Sequence, residues 1–242
     1  MISTKAINVF CFPFAGGSKY SYNLYNRHLP PMVKLIPLEY AGHGTRINEP
    51  LQYDAEVIAA DMFRLLKDEL DSPYIFYGHS MGALIVYLLT KRILAEGRPA
   101  PLHLFLTGCG GPSSRLHAEP KARHLLPYDA FIQELKILGG APAGLLQDED
   151  SMHFFIPIIR ADFEAVDTYQ YREPASFDIP FTVITGREDV VRPEEAERWQ
   201  DETIQPVTMR QMEGDHFFIF DCAAEVMREL NDRIRNMSLI FS

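Results

Sequence analysis

The sequence is poor in cysteine, in tryptophan and in long apolar segments. Its 242 residues include three cysteines and one tryptophan. Three is an odd number and no cysteine pair has C-x-x-C spacing, so we expect neither a disulfide framework nor a metal site. The longest helical apolar run, 83–89, is far shorter than the roughly 20 residues of a membrane span, and the N-terminus lacks the apolar core of a signal peptide. These absences predict a cytoplasmic protein that does not bind membranes.

Positive charge is also scarce. The 23 lysines and arginines stand against 33 aspartates and glutamates, which gives a net charge of −10. A charge of this sign repels the phosphate backbone of nucleic acid, so a nucleic-acid partner is not expected. Apolar residues make up 47% of the chain and charged residues 23%, as in ordinary globular proteins. We therefore expect one domain, 1–242, with its own buried core.

Short apolar runs rich in β-forming residues alternate with segments of helical period. The runs that predict strands are 7–12, 33–38, 74–77, 102–107, 181–185 and 207–212. Between the second and third runs, apolar residues at helical spacing predict an amphipathic helix over 57–70, with Asp54 as its N-cap. A mostly apolar helix over 82–96 is predicted to end at Gly97. This alternation predicts an α/β fold, with a mostly parallel central sheet flanked by helices.

The interval 108–178 is longer than one crossover helix requires, and it contains several helix-like stretches. We expect a helical lid insertion at about 113–175. Pro127 is predicted to begin a helix that reaches about Leu138, and the glycine-rich stretch 139–144 is predicted to act as a hinge. The aromatic and aliphatic residues of 152–169 suit either the underside of the lid or ordinary helix packing.

A G-x-S-x-G pentapeptide, 78–82, lies directly between a predicted strand and a predicted helix. This context predicts a nucleophile elbow, in which Ser80 occupies a sharp turn and glycines are needed where a side chain would collide with backbone. The serine hydroxyl would then project into a cleft at a helix N-terminus, where the helix dipole favours developing negative charge. The motif favours a hydrolase of the α/β-hydrolase fold.

A serine nucleophile needs a base and an acid, in the chain order serine, acid, histidine. His216 follows the last predicted strand, and Asp189 follows the strand before it, so we predict His216 as base and Asp189 as orienting acid. His79 is predicted to pack beside the serine and not to serve as its base. The rival acids are Glu188, Asp162 and Asp215.

Two loops at the same predicted sheet edge are candidates for substrate contact. Small residues in CFPFAGG, 11–17, favour backbone N–H groups that stabilise an oxyanion, and we predict the donors to be Ala15 and Met81. A plain glycine turn is the alternative. The loop AGHGTR, 41–46, is expected to shape the pocket rim. The residues assigned to substrate binding are Phe14, Gly16, His43 and Phe217.

Six segments form a recognisable set: CFPFAGG at 11–17, GHGTR at 42–46, YGHSMG at 77–82, LGGAP at 138–142, IIRADFEAVDTY at 158–169 and GDHFF at 214–218. Together they resemble the stand-alone type II thioesterases that accompany nonribosomal peptide and polyketide synthetases. The resemblance covers about 8–235. The sequence departs from the family pattern at three positions. Ala41 stands where family members often have Pro, and Ala83 stands where they often have Gly. Asp215 places a carboxylate beside the predicted base. None of these departures removes a predicted catalytic group.

The resemblance implies a repair hydrolase. Members remove misprimed or stalled acyl groups from the 4′-phosphopantetheine arms of acyl and peptidyl carrier domains. The implied roles are nucleophile for Ser80, general base and then acid for His216, and orienting acid for Asp189. No cofactor is implied, apart from the phosphopantetheine that the substrate carries. Two other functions stay open: a small-molecule esterase with the same triad, and a carrier-binding protein without catalysis.

Carrier domains are generally acidic, which conflicts with a net charge of −10. The segment 115–124 concentrates positive charge, because Arg115, Lys121 and Arg123 stand there against Glu119 alone. We predict that it forms a local basic docking patch for the carrier, with a plain solvated lid surface as the alternative. A monomer is expected, since the predicted fold needs no partner to close its core.

Overall fold

The structure, a computed structural model, describes residues 7–117, 121–139 and 148–240. Its centre is a six-stranded parallel sheet in the order β2-β1-β3-β4-β5-β6. The strands are β1 (Ile7–Phe12), β2 (Val33–Pro37), β3 (Tyr74–His79), β4 (Leu104–Thr107), β5 (Phe181–Gly186) and β6 (Thr208–Met212). The predicted α/β fold with a parallel central sheet is confirmed.

Helices flank the sheet. The α-helices are α1 (Ala55–Leu66), α2 (Met81–Ala95), α3 (Tyr128–Leu138), α4 (Glu149–Thr168), α5 (Pro193–Glu197), α6 (Phe218–Asp221) and α7 (Ala223–Ile240). Short 3-10 helices span Lys19–His28, Gly44–Arg46, Pro112–His117, Arg123–Leu125 and Arg198–Glu202. In the described ranges, none of the helices has both the length and the apolar character of a membrane span.

The two faces of the sheet follow from the alternation of side chains along each strand. On one face, Phe10 and Phe76 join a buried cluster with residues of α1 and α2. On the other face, Val9 and Ile75 join a second cluster with residues of α7. Because both faces are covered, the central strands are predominantly apolar, as the sequence pattern indicated.

The segment between β4 and β5 carries α3 and α4, which pack on each other through a third buried cluster. Its buried members are Phe131, Ile132, Leu135, Met152, Ile156 and Phe163. Pro127 is the N-cap and not the first helical residue, because its ψ of 155° is still extended. The helix α3 ends at Leu138 and is capped by Gly139, whose φ is +83°. The rest of the predicted hinge, 140–144, lies outside the described residues.

Candidate active site

Ser80 stands on the sharp turn between β3 and α2. Its φ of 54° and ψ of −115° lie outside the ordinary regions for a residue with a side chain, a strain of about 1–3 kcal/mol that the surroundings must offset. The Ser80 N–H donates to Thr107 O at 2.8 Å. A Cβ at Gly78 would lie 2.4 Å from Gly82 O, and one at Gly82 would lie 2.1 Å from Phe12 O. The close packing of the turn therefore requires both glycines.

His216 and Asp189 lie beside the serine, on the loops that follow β6 and β5. His216 Nε2 is 2.9 Å from Ser80 Oγ, and His216 Nδ1 is 2.8 Å from Asp189 Oδ1. A carboxylate accepts, so Nδ1 carries the ring proton and Nε2 is free to accept the serine proton. The side chains of His216 and Asp189 are 5% and 0% exposed. The structure therefore brings together the three residues that the sequence singled out.

The rival acids have other partners or positions. Asp162 lies 2.9 Å from His43 Nε2, and Glu188 is exposed. Asp215, next to the base in sequence, accepts a hydrogen bond from the Phe217 N–H at 2.8 Å. Asp189 is thus the carboxylate that contacts the His216 ring.

His79 is buried beneath the site. Its Nδ1 lies 3.0 Å from Thr107 Oγ1, and its ring centroid is 5.0 Å from that of His216. Burial holds the pKa of His79 well below its usual value, and the charge of His216 lowers it further. A ring that stays neutral packs beneath the base without competing for the serine proton.

The loop after β1 brings Ala15 close to the serine. Ala15, Met81, Ser80 and His216 all line one cavity. Within the described residues, the Ala15 N–H has no hydrogen-bond acceptor. Met81 is the first residue of α2, where an N–H lacks an intrahelical acceptor. Both donors are therefore available to a substrate oxygen.

The cavity has a volume of about 820 Å³ and runs from Ser80 beneath α4. Its apolar lining includes Met81, Leu138, Phe163, Val166, Val190 and Val191. Its polar lining includes Arg115, Lys121, Arg123, Asp167, Tyr169 and Tyr171. Among the residues that the structure describes, no group of three or more His, Cys, Asp or Glu side chains is arranged to bind a metal ion.

The four residues assigned to substrate binding, Phe14, Gly16, His43 and Phe217, lie outside the lining of this cavity, and their role stays a prediction. The Phe14 ring packs edge-on against Phe217, with their centroids 4.9 Å apart. The Gly16 N–H donates a hydrogen bond to Asp162 Oδ2 at 2.6 Å. His43 is buried and bonded to the same carboxylate.

The predicted docking residues line the cavity, and two of them have internal partners. Arg123 makes a bidentate ion pair with Asp167 and lies over the Phe163 ring at 4.3 Å, so it is not a free surface charge. Arg115 donates to Val166 O at 2.9 Å. Lys121 is exposed. Sequence reasoning missed the Arg123–Asp167 and His43–Asp162 pairs, although two aspartates among the apolar residues of α4 signal buried partners.

Fold and site together define a serine hydrolase. Three residues in the chain order serine, aspartate, histidine meet at the carboxyl ends of parallel strands, beneath helices inserted between β4 and β5. This arrangement is the one expected of α/β-hydrolases.

Comparison with known proteins identifies the family. The thioesterase domain profile matches residues 7–234. The gramicidin S biosynthesis protein GrsT of Aneurinibacillus migulanus is 31% identical over 238 residues, which are 96% of this chain and 91% of that protein. The crystal structure of ClbQ from the colibactin NRPS/PKS pathway aligns with a TM-score of 0.89 at 29% identity, covering 97% of this chain and 99% of ClbQ. The type II thioesterase BorB from the borrelidin biosynthetic cluster aligns with a TM-score of 0.85 at 28% identity, covering 94% and 92% of the two chains.

The chain belongs to the thioesterase domain family. It is an enzyme that hydrolyses thioester bonds, and the predicted resemblance to type II thioesterases of nonribosomal peptide and polyketide synthetases is confirmed.

Proposed function

We propose that this thioesterase releases misprimed or stalled acyl groups from the 4′-phosphopantetheine arms of carrier domains in nonribosomal peptide or polyketide synthesis. The observation that carries the proposal is the hydrogen bond of 2.9 Å between Ser80 Oγ and His216 Nε2 at one end of a cavity of about 820 Å³. The names of GrsT, ClbQ and BorB, which place those proteins in such pathways or clusters, support the substrate class.

The first half of the reaction forms an acyl-serine. Ser80 Oγ attacks the thioester carbonyl carbon while His216 Nε2 takes the hydroxyl proton. The resulting oxyanion accepts hydrogen bonds from the N–H groups of Ala15 and Met81. As the tetrahedral intermediate collapses, the carbon–sulfur bond breaks and the proton of His216 Nε2 passes to the departing sulfur, which leaves as the thiol. Asp189 keeps the imidazole in the tautomer that this transfer needs.

The second half repeats these steps with water. His216 takes a proton from a water molecule, whose oxygen attacks the acyl carbonyl carbon, and the proton then returns to Ser80 Oγ. The products are a carboxylic acid and the free thiol of the carrier. A thiol with a pKa of about 8.5 is a far better leaving group than an amine or an alcohol. A serine, a histidine, an aspartate and two backbone N–H groups are therefore sufficient to hydrolyse a thioester.

We place carrier recognition at Lys121, on the cavity lining. Lys121 is exposed, whereas Arg123 is paired with Asp167. Lys121→Glu is expected to raise KM for an acyl-carrier substrate several-fold and to leave KM for a small acyl thioester unchanged. Lys67→Glu makes the same charge change at an exposed position after α1 and serves as the control. Equal effects of Lys121→Glu on both substrates would contradict docking at this position.

We also propose a single-domain monomer that works in the cytoplasm without a metal or cofactor. Light scattering of the purified protein is expected to give the monomer mass of 27.6 kDa. Dialysis against a chelator is expected to leave the hydrolysis rate unchanged.

The decisive experiment follows acetyl release from a phosphopantetheinylated carrier domain by mass spectrometry. Wild type is expected to release acetate, and Ser80→Ala is expected to release none. Equal release by the variant would refute the role of Ser80. If wild type cleaves a matched oxygen ester but not the carrier thioester, the substrate assignment fails and an esterase remains. If a fluorophosphonate does not label Ser80, the serine is inert and a carrier-binding role remains.

A further inference from the structure

A buried ion pair connects α4 to the loop that follows β2. Asp162, on α4, lies 2.9 Å from Nε2 of His43, on the loop after β2. The two side chains are 1% and 4% exposed. Neither residue lines the cavity, and neither belongs to the Ser80–His216–Asp189 arrangement. A buried charged pair that takes no part in the chemical steps calls for a separate explanation.

The hydrogen bonds around His43 define its charge. Its Nδ1 is 3.0 Å from Ala41 O, and a carbonyl can only accept, so Nδ1 carries a proton. Its Nε2 faces the Asp162 carboxylate, which also accepts, so the ring is a cation. Burial opposes this charge, but the hydrogen bond to Asp162 and its negative charge raise the pKa of His43 above its usual value. Glu39 raises it as well, while the Tyr40 ring packs edge-on against His43.

Asp162 also binds the loop itself. The oxygen that faces His43, Oδ2, accepts the Gly16 N–H at 2.6 Å. Ile159 lies three residues before Asp162 and therefore on the same face of α4. A Cβ at Gly16 would lie 2.6 Å from Ile159 Cγ1, so this side chain contacts the same glycine. One face of α4 thus holds Gly16 by a hydrogen bond and by packing.

The effect of this contact falls on Ala15, which directly precedes Gly16. Ala15 packs against the buried cluster shared by α3 and α4. The opposite end of the loop is fixed from the core, since Tyr40 Oη donates to Pro13 O at 3.0 Å. With Pro13 held by the core and Gly16 held by α4, little freedom is left to the peptide between them that carries the Ala15 N–H.

We propose that Asp162 and His43 are positioning residues that aim the Ala15 N–H at the oxyanion. This inference rests on the proposed function of the site, in which Ala15 is one of the two donors. Asp162 supplies the acceptor that fixes the loop, and the His43 ring, which contacts the same oxygen, holds that acceptor in place. The oxyanion site is then complete only when α4 is seated on the core.

The test compares kinetic constants of Asp162→Asn and wild type on acetyl-N-acetylcysteamine, a thioester without a carrier. An oxyanion contact is made in the transition state and not in the ground state, so kcat is expected to fall about 10- to 100-fold. KM is expected to change by less than about 2-fold, because bound substrate does not yet use the contact. The control is Asp167→Asn, which removes a second buried carboxylate of α4 and is expected to change KM more than kcat.

A second readout separates positioning from folding. The inhibition constant of an alkyl trifluoromethyl ketone, which forms a tetrahedral oxyanion with a serine, is expected to rise by the same factor as kcat falls. Unchanged kcat and inhibition with a lower melting temperature would overturn the proposal, because Asp162 would then serve stability alone. An inactive wild type would instead refute the proposed function.

A variant that keeps the carboxylate covers the case in which Asp162→Asn does not fold. His43→Gln leaves the hydrogen bond between Asp162 and Gly16 but removes the cation. Its kcat is expected to fall about 3- to 10-fold at constant KM, since the anchoring carboxylate loses part of its support. Wild-type kcat in folded His43→Gln would overturn the role of His43.

Discussion

Gly82→Ala should move the oxyanion loop away from the nucleophile. The added Cβ would lie 2.1 Å from Phe12 O and 2.8 Å from both Phe12 C and Pro13 O. These are backbone atoms at the end of β1 and the start of the loop that carries Ala15. No side-chain rotation can relieve the collision, so the two backbone segments must separate.

The magnitude follows from the overlap. Ordinary van der Waals contact begins near 3.4 Å, so the backbone around Phe12 must retreat by about 1 Å. Overpacking of this kind lowers the free energy of unfolding by about 1–3 kcal/mol. Because the added Cβ meets backbone atoms, which cannot rotate away, we expect a loss of about 3 kcal/mol. A displacement of about 1 Å between catalytic groups lowers the rate by about 100-fold. The variant is therefore expected to stay folded with a kcat near one hundredth of the wild-type value.

Urea unfolding and hydrolysis of acetyl-N-acetylcysteamine measure the two effects. Gly97→Ala is the control, because its φ of +65° carries the strain of a left-handed residue while nothing lies within 4 Å of the added Cβ. The control is expected to lose about 1 kcal/mol of stability and no activity. Wild-type kcat in folded Gly82→Ala would refute the argument that this close approach fixes the oxyanion geometry.

Three further predictions concern charged groups. Asp189→Asn removes the acceptor that fixes the tautomer of His216, so acylation measured in a single turnover is expected to slow about 10⁴-fold. A decrease of less than 10-fold would exclude this role for Asp189. Burial lowers the pKa of His43, but the hydrogen bonds to Asp162 and Ala41 and the charges of Asp162 and Glu39 together raise it above its usual value in the folded protein. The contribution of the His43 charge to stability is therefore present below pH ~6.5 and is lost as the pH rises through the raised pKa. The difference in free energy of unfolding between wild type and His43→Gln, measured with urea, should shrink from pH 5 to pH 9. A difference that grows over this range would contradict the sign. Arg123→Met leaves the Asp167 carboxylate buried and unpaired, and calorimetry is expected to show a loss of about 3 kcal/mol that Arg123→Met/Asp167→Leu largely recovers.

The sequence predicted the strands well because a parallel sheet covered on both faces leaves continuous apolar runs. The boundaries were less accurate where burial and hydrophobicity differ. The strand β3 extends to His79, two residues beyond the predicted end, since Gly78 and His79 are buried without being apolar by type. The helix α1 ends at Leu66 and not at Leu70, which is buried although it lies outside the helix.

The candidate nucleophile, base and acid were found because each directly follows a predicted strand, and parallel strands bring their carboxyl ends to one edge. The partner of His43 could not be found this way. Asp162 is 119 residues away in the chain, on a helix whose seating no local pattern specifies. The partner of Arg123 could not be found for the same reason, because Asp167 lies 44 residues away in the chain.

The cluster between α3 and α4 is separate from the two clusters that cover the sheet, and this separation bears on how the enzyme can be redesigned. The nucleophile is supported by the largely buried α2, whereas the roof of the cavity is formed in part by Leu138, Phe163 and Val166. Leu138 and Phe163 pack in the cluster between α3 and α4, whereas Val166 packs against a cluster that covers the sheet. Substitutions at Leu138 and Phe163 are therefore expected to reshape the cavity without altering the elbow. A library confined to them, with Ile159 and Asp162 left intact, can thus alter chain-length preference while retaining hydrolysis of the shortest thioesters.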